Sequence, residues 1–214
     1  FGKSEFWYMI DSQDDSQIIT GFNKKLTRKE YIASVKRGGL RSSLQYVDVN
    51  SDDFIYIPSR SLHSLGKGLF LVEIQQTSDV TYRVYDWDRV DAQGKGRELH
   101  LDLAADTIDF DADPLDLESL PIEEDEVQEL TSNPYFQVNR FFLTQKIERE
   151  FLENDSFRLY ICLDGGVELH TLNNDSVHLG AGEIALVPAS LPGVDLCPLG
   201  KAKVLEVLNP QDLI

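Results

Sequence analysis

The sequence predicts a mainly β protein built as two antiparallel β-barrels joined by a short helical and acidic connector. Three observations predict it. Short apolar runs of strand length recur along most of the chain, with clusters of Gly, Asn, Asp and Pro between them, the pattern of a sandwich or barrel. The run 53–58 (Asp-Phe-Ile-Tyr-Ile-Pro) in the first half has a counterpart at 182–188 (Gly-Glu-Ile-Ala-Leu-Val-Pro) in the second, so that one architecture is repeated. Between Asp102 and Glu129 stand twelve acidic residues and no lysine or arginine, a solvated stretch punctuated by Pro114 and Pro121. The division expected is 1–110 for the first barrel, 111–132 for the acidic linker and 133–214 for the second barrel.

Along the chain, 6–10 is a buried strand and 17–22 a second that ends in the loop Asn23-Lys24-Lys25. A helix follows, because Thr27 and Glu30 form a capping box and Tyr31, Ile32 and Val35 then share a face; Gly38-Gly39 stops it. Residues 44–49 and 54–57 read as a strand pair about the turn Asn50-Ser51-Asp52-Asp53, and 69–75 and 80–84 continue the sheet. The stretch 97–108 is a helix start or a passage from strand to helix. Beyond the acidic stretch the strands expected are 136–144, 157–163, 167–171, 176–179, 183–187 and 203–207. Their turns are Asp164-Gly165-Gly166, Asn173-Asn174-Asp175 and Gly180-Ala181-Gly182.

The composition is that of a soluble globular protein, 42% hydrophobic and 27% charged over 214 residues. A net charge of −17 with no basic cluster argues against a nucleic-acid partner. No run reaches the roughly 18 apolar residues that a membrane-spanning helix needs, and no basic segment leads into an apolar one as in a secretory leader. The expectation is a cytoplasmic protein with Cys162 and Cys197 as reduced thiols.

The chemistry concentrates in 53–86. A strand runs into Pro58 and a turn that presents His63, then the turn Gly66-Lys67-Gly68, and a second strand carries Glu73 toward Arg83. A metal-ligand type, a carboxylate, guanidinium groups and a Gly-Lys-Gly turn are what sugar-phosphate chemistry requires. The strand-Pro-turn-His arrangement resembles that of cupin (jelly-roll) barrels. More specifically, Gly2-Lys3-Ser4-Glu5-Phe6-Trp7-Tyr8, Ile57-Pro58 through His63 to Gly66-Lys67-Gly68, Glu73 through Thr77-Ser78-Asp79 to Tyr82-Arg83-Val84-Tyr85-Asp86, and Arg97-Glu98-Leu99-His100 resemble strings of the type I phosphomannose isomerases in their short bacterial form. The resemblance is close over the first hundred or so residues and general beyond them.

That resemblance implies two cupin-type (jelly-roll) barrels, the second metal-free, and an enzyme with one zinc ion per chain that interconverts mannose 6-phosphate and fructose 6-phosphate through a cis-enediol. It implies Glu5 and His63 as metal ligands, Arg83 as the active-site arginine and Glu73 as a site carboxylate. Zinc accepts both ligand types and keeps a position open in catalytic sites. Lys67 and Arg89 are candidates for the substrate phosphate, whose dianion needs fixed cations in so acidic a protein. His100, His170 and His178 read as packing or hydrogen-bonding residues.

Two departures stand out. Phe6 replaces the family's usual cysteine. The family's two further ligands, in a Gln-Val-His-Pro string, are expected upstream of Phe1, so that the first barrel would lack its N-terminal strands. A second reading, a non-catalytic cupin fragment that binds a sugar or a protein partner, stays open at this point.

Overall fold

Phe6, Trp7, Tyr8 and Met9 are consecutive large side chains, and each is at most 3% exposed, which makes the strand they form a central one with both faces covered. A computed structural model describes residues 2–87, 89–151, 156–173 and 175–210; it divides into two units, Phe1–Leu120 and Pro121–Ile214. The strands of the first unit are β1 (Glu5–Ser12), β2 (Gln17–Phe22), β3 (Leu44–Asp48), β4 (Phe54–Ile57), β5 (Ser64–Leu65) and β6 (Leu69–Gln75). They form two antiparallel sheets, in the orders β4-β1-β6 and β3-β2-β5. In the first sheet Glu5 lies opposite Ile57 and Gln75, and Trp7 opposite Ile55 and Glu73. Trp7, Met9, Ile18, Val49, Ile55 and Ile57 form one apolar cluster drawn from both sheets. Removing each such side chain from water contributes about 1.5–3 kcal/mol.

Residues 44–49 and 54–57 are strands but do not pair with each other. The turn between them carries the chain from one sheet to the other, because Met9 bonds both Asp52 and Asp53 through the backbone while Val49 bonds Ser16. Asp52 adopts φ 70°, and the Asp53 carboxylate accepts the Asn50 amide, so the corner is held locally. The helix α1 (Arg28–Lys36) has the expected capping box, buries Tyr31 and Ser34, and ends at Gly38 with φ 67°. Ile32 and Val35 pack against the cluster of Ile19, Tyr31, Leu40, Leu44 and Ala105. The helix α2 (Leu101–Thr107) supplies Ala105. Residues 80–84 form no strand: the Arg83 amide and carbonyl are taken by His100 instead of a sheet neighbour.

The second unit contains β7 (Gln128–Ser132), β8 (Gln137–Leu143), β9 (Ile147–Glu150), β10 (Arg158–His170), β11 (Ser176–Gly180), β12 (Ile184–Val187) and β13 (Gly193–Leu208). The main order is β11-β10-β13-β8-β7, with β12 on β10 and β9 on β13. Asp164-Gly165-Gly166 is not a hairpin turn, as the sequence suggests, but an irregularity inside the long β10. Gly165, at φ 72°, lies so close to the Lys201 carbonyl that a Cβ there would stand 2.0 Å from its oxygen, and the bulge lets β10 stay paired with β13 on either side. The region 193–202, outside the strands expected from the sequence, is the first part of β13. The tight turn at Gly180-Ala181-Gly182 is present, with Gly182 at φ 87°. Of the turn expected at Asn173-Asn174-Asp175, Asn174 lies outside the described residues. Cys162 and Cys197 are both free thiols, and burial pushes each above the usual thiol range.

The acidic stretch does not stand apart as a linker. Leu115 and Leu117 pack on the first unit's apolar cluster and Glu118 bridges Phe54, whereas Asp125 caps Thr144 and Gln145 in the second unit and 128–132 is β7. Half-buried Leu115 and Leu117 among the exposed acids allow this in the first unit, and the Asp125 carboxylate does so in the second. Among the described residues no helix is long and apolar enough to cross a membrane.

The two units repeat one local geometry. β12 pairs β10 with Val187 opposite Arg158, as β4 pairs β1 with Ile57 opposite Glu5. After each strand comes proline and the same turn: Ser61 donates to the Pro58 carbonyl at 3.2 Å, and Leu191 to the Pro188 carbonyl at 3.1 Å.

Candidate active site

Period-two alternation along the start of β1 puts Lys3, Glu5 and Trp7 on one side of the strand. Glu5 is 2% exposed. Its Oε2 accepts the Trp7 indole N–H at 3.1 Å, and its Oε1 accepts the Lys3 ammonium. The turn after Pro58 brings His63 to the same carboxylate, with Nε2 3.5 Å from Glu5 Oε2. The other ring nitrogen, Nδ1, donates to the Ser61 carbonyl at 2.9 Å and so leaves Nε2 facing Glu5. The imidazole edge packs on Trp7 with ring centres 5.3 Å apart. Burial by itself would raise the Glu5 carboxyl, but the bond and charge of His63, and then those of Lys3, outweigh it and hold the group down at about 2.

Lys3 bridges two acids, reaching Glu73 Oε1 at 3.1 Å as well as Glu5. Burial works against its charge, yet its bonds to both carboxylates prevail and keep the ammonium above its ordinary range. Glu73 enters this cluster because β6 sets it opposite Trp7 across β1. Lys3 was not singled out from the sequence, although its place two residues before Glu5 on a strand is the signal that would have found it.

These groups line a cavity of about 680 Å³ in the first unit. Arg83 lines it too; its amide donates to His100 Nδ1 at 3.1 Å and its Nη1 to the Glu98 carbonyl at 3.3 Å, so His100 is a hydrogen-bonding residue that fixes the arginine's backbone. Arg89 is exposed at the rim, with its amide on the Asp86 carbonyl. The Asp86 carboxylate is taken by a two-pronged contact from Arg97, whose hydrogen bond holds it below the usual range. Lys67 is a correction. It does not line the cavity, because Gly66 and Gly68 pack against Gln17, Ser16 and Gln13 and carry the exposed Lys67 to the β1–β2 turn. Phe6, on the opposite side of β1 from Glu5, packs against Phe54 in the core.

The donor set of Glu5 and His63 fits a zinc ion. Ligands about 2.0–2.2 Å from a tetrahedral ion stand roughly 3.3–3.6 Å apart, which is the separation seen between Glu5 Oε2 and His63 Nε2. The Nδ1 bond to Ser61 is the outer-shell contact that orients a ligating imidazole. Among the described residues no group of three or more His, Cys, Asp or Glu side chains is placed to hold a metal. His170 pairs with Glu168 at 2.9 Å in the second unit, away from any such set.

No family model matches the chain. It is 39% identical over 148 residues to mannose-6-phosphate isomerase ManA of Bacillus subtilis (strain 168), a match that covers 67% of this chain and 46% of that protein. A crystal structure of mannose 6-phosphate isomerase from Bacillus subtilis superimposes with a TM-score of 0.81 at 27% identity, covering 97% of this chain and 65% of that one. A zinc-bound structure of mannose 6-phosphate isomerase shares the fold, with a TM-score of 0.69 at 12% identity over 97% of this chain and 66% of that one. The chain spans about half the length of the curated relatives it matches. The ordered strings about Glu5, His63, Glu73 and Arg83, the strand register that gathers them and these likenesses together support a place for the chain among the mannose-6-phosphate isomerases.

Proposed function

We propose that the first unit carries the catalytic barrel of a zinc-dependent aldose–ketose isomerase that interconverts mannose 6-phosphate and fructose 6-phosphate. The observation that carries this reading is the cluster of Glu5, His63, Lys3 and Glu73 on the wall of one cavity, with Arg83 on the same cavity. Glu5 and His63 would hold the ion. When bound, zinc supplies Lewis-acid polarisation of the sugar oxygens.

The reaction moves one proton from C2 of the open-chain aldose to C1 of the ketose. The base must be a group open to the cavity. Glu73 meets this need, because its carboxylate is exposed, lines the cavity and accepts the Lys3 ammonium at 3.1 Å. It takes the C2 proton, the C1 oxygen gains a proton, and the cis-enediol forms. Loss of the O2 proton and return of the proton to C1 completes the ketose. Lys3, pinned as an ammonium between two acids, does not serve as a base; its charge and that of Arg83 face the enediolate that develops. Arg89 at the rim is a candidate for the phosphate.

Among the described residues the second unit has no equivalent machinery. Arg158 stands at the register position of Glu5, and Gly193, five residues after Pro188, at that of His63. A guanidinium and a glycine are not zinc ligands, which supports a metal-free barrel.

The test is conversion of mannose 6-phosphate by the protein in its natural length, with fructose 6-phosphate detected by a coupled enzyme. Turnover of this substrate, and little of unphosphorylated mannose, is expected. Absence of turnover with zinc supplied contradicts the proposal.

A further inference from the structure

Arg60 adopts φ 75°, a left-handed conformation that is strained for an L side chain and that glycine would take freely. It sits three residues before His63, next to Ser59, whose amide donates to Ser4 Oγ beside Lys3 and Glu5. Strain of this kind persists where the surroundings over-determine the residue, and it concentrates at functional sites. Here three contacts fix it. The Arg60 carbonyl accepts the Asp109 amide at 3.2 Å, its Nε donates to the Thr107 carbonyl at 2.9 Å, and its Nη1 lies 3.7 Å from Asp109 Oδ2. The remaining guanidinium hydrogens have no hydrogen-bond partner among the described residues. The side chain stays 57% exposed and lines the cavity that holds Glu5 and His63.

Of the other cations on that cavity, Lys3 is committed to two carboxylates and Arg97 to Asp86, while Arg83 bonds the neutral Glu98 carbonyl and Arg89 stands exposed at the rim. Arg60 is anchored by the neutral Thr107 carbonyl through Nε and pairs only at 3.7 Å with the Asp109 carboxylate through Nη1, so guanidinium hydrogens are left over. Such hydrogens can bond a phosphate dianion.

Resting on the isomerase reading of this cavity, we propose that Arg60 is a phosphate anchor that selects phosphorylated over unphosphorylated sugar. The left-handed turn is the device that projects it there. In a chain of net charge −17 a dianion has to find fixed cations, and Arg60 is one of those on this cavity.

Calorimetric titration of the protein with inorganic phosphate, mannose 6-phosphate and mannose tests this, using the parent, Arg60→Gly and Arg60→Gln. Glycine relieves the backbone, so the melting temperature of Arg60→Gly should be no lower than the parent's, while affinity for phosphate and mannose 6-phosphate falls at least about tenfold, the usual effect of losing a charged hydrogen bond. Arg60→Gln should show the same loss, and affinity for mannose should not change in either variant. Parent-like phosphate affinity in both variants, or a parent that does not prefer mannose 6-phosphate to mannose, overturns the assignment. Turnover is read separately. Phosphate preference without isomerisation removes the isomerase reading and leaves Arg60 standing, whereas isomerisation with an unchanged KM in both variants removes Arg60 alone.

Discussion

Arg158 occupies in its sheet the place that Glu5 occupies in its own: each begins its strand opposite an aliphatic residue that directly precedes a proline, Val187 in one case and Ile57 in the other. The exchange of carboxylate for guanidinium reverses the chemistry of the position. Two residues on, Tyr160 lies opposite Glu206 as Trp7 lies opposite Glu73. Glu206, fully buried, takes Tyr160 at 2.6 Å, Asn139 at 2.8 Å, Arg149 at 2.8 Å and Arg158 at 3.2 Å. An ion-pair network fills the interior that the first unit uses for its site.

Breaking a buried network by removing one partner strands the others. Glu206→Ala should therefore destabilise the protein by about 3–5 kcal/mol, measured by denaturant unfolding; a loss below about 1 kcal/mol would be within the range of an exposed pair and would sink the idea.

The same group sets an acid limit. Burial alone would raise the Glu206 carboxyl, but the charge and hydrogen bonds of Arg149, with Tyr160 and Asn139, hold it below the ordinary value of 4.5. A depressed folded value means the stabilisation is complete above 4.5 and is lost as the pH falls through the folded value. The stability gap between the parent and Glu206→Gln should accordingly be wide near pH 7 and narrow toward about pH 3. A gap that does not change with pH contradicts this assignment.

Trp7→Phe keeps the ring against His63 but deletes the donor to Glu5. Loss of such an outer-shell bond should weaken zinc binding about 10–100-fold, read by competition with a chromogenic chelator. Unchanged affinity would show that the indole N–H does not orient the carboxylate.

In the proposed reaction Glu73 moves the proton and Lys3 answers the charge that develops. Isomerisation in heavy water should place deuterium at C2 of mannose 6-phosphate and C1 of fructose 6-phosphate; full retention of the substrate hydrogen would point to a hydride shift instead. Glu73→Gln should lower kcat by about 10²–10⁴-fold. Lys3→Met should lower it by about 10²–10³-fold while zinc stays bound, and a kcat near the parent's would remove Lys3 from the reaction.

Much of the first unit is legible because its signals are local. The capping box at Thr27 and Glu30, the apolar run from Phe6 and the Ile57-Pro58 turn to His63 each depend on a few neighbouring residues. What was not legible depends on distant backbone. Asn50 to Asp53 reads as a hairpin turn, and only the bonds from Met9 turn it into a corner. Asp164-Gly165-Gly166 reads likewise, and only the approach of Lys201 makes it a bulge. At the site, Glu5, His63, Glu73, Arg83 and Arg89 line one cavity, whereas Lys67 is carried away by glycines whose neighbours no local pattern reveals. Arg60 left no trace in the sequence, since a left-handed arginine has no sequence signature.

The central claim is that Glu5 and His63 seat the ion on which isomerisation depends. Its most direct test is zinc titrated back into the metal-stripped protein of natural length, with turnover of mannose 6-phosphate as the readout. The parent should recover activity to a plateau at one zinc per chain, and Glu5→Gln and His63→Ala should each need at least about 100-fold more zinc, beyond what outer-shell changes cost. Full activity in the stripped protein, or parent-like recovery in both variants, would contradict the account.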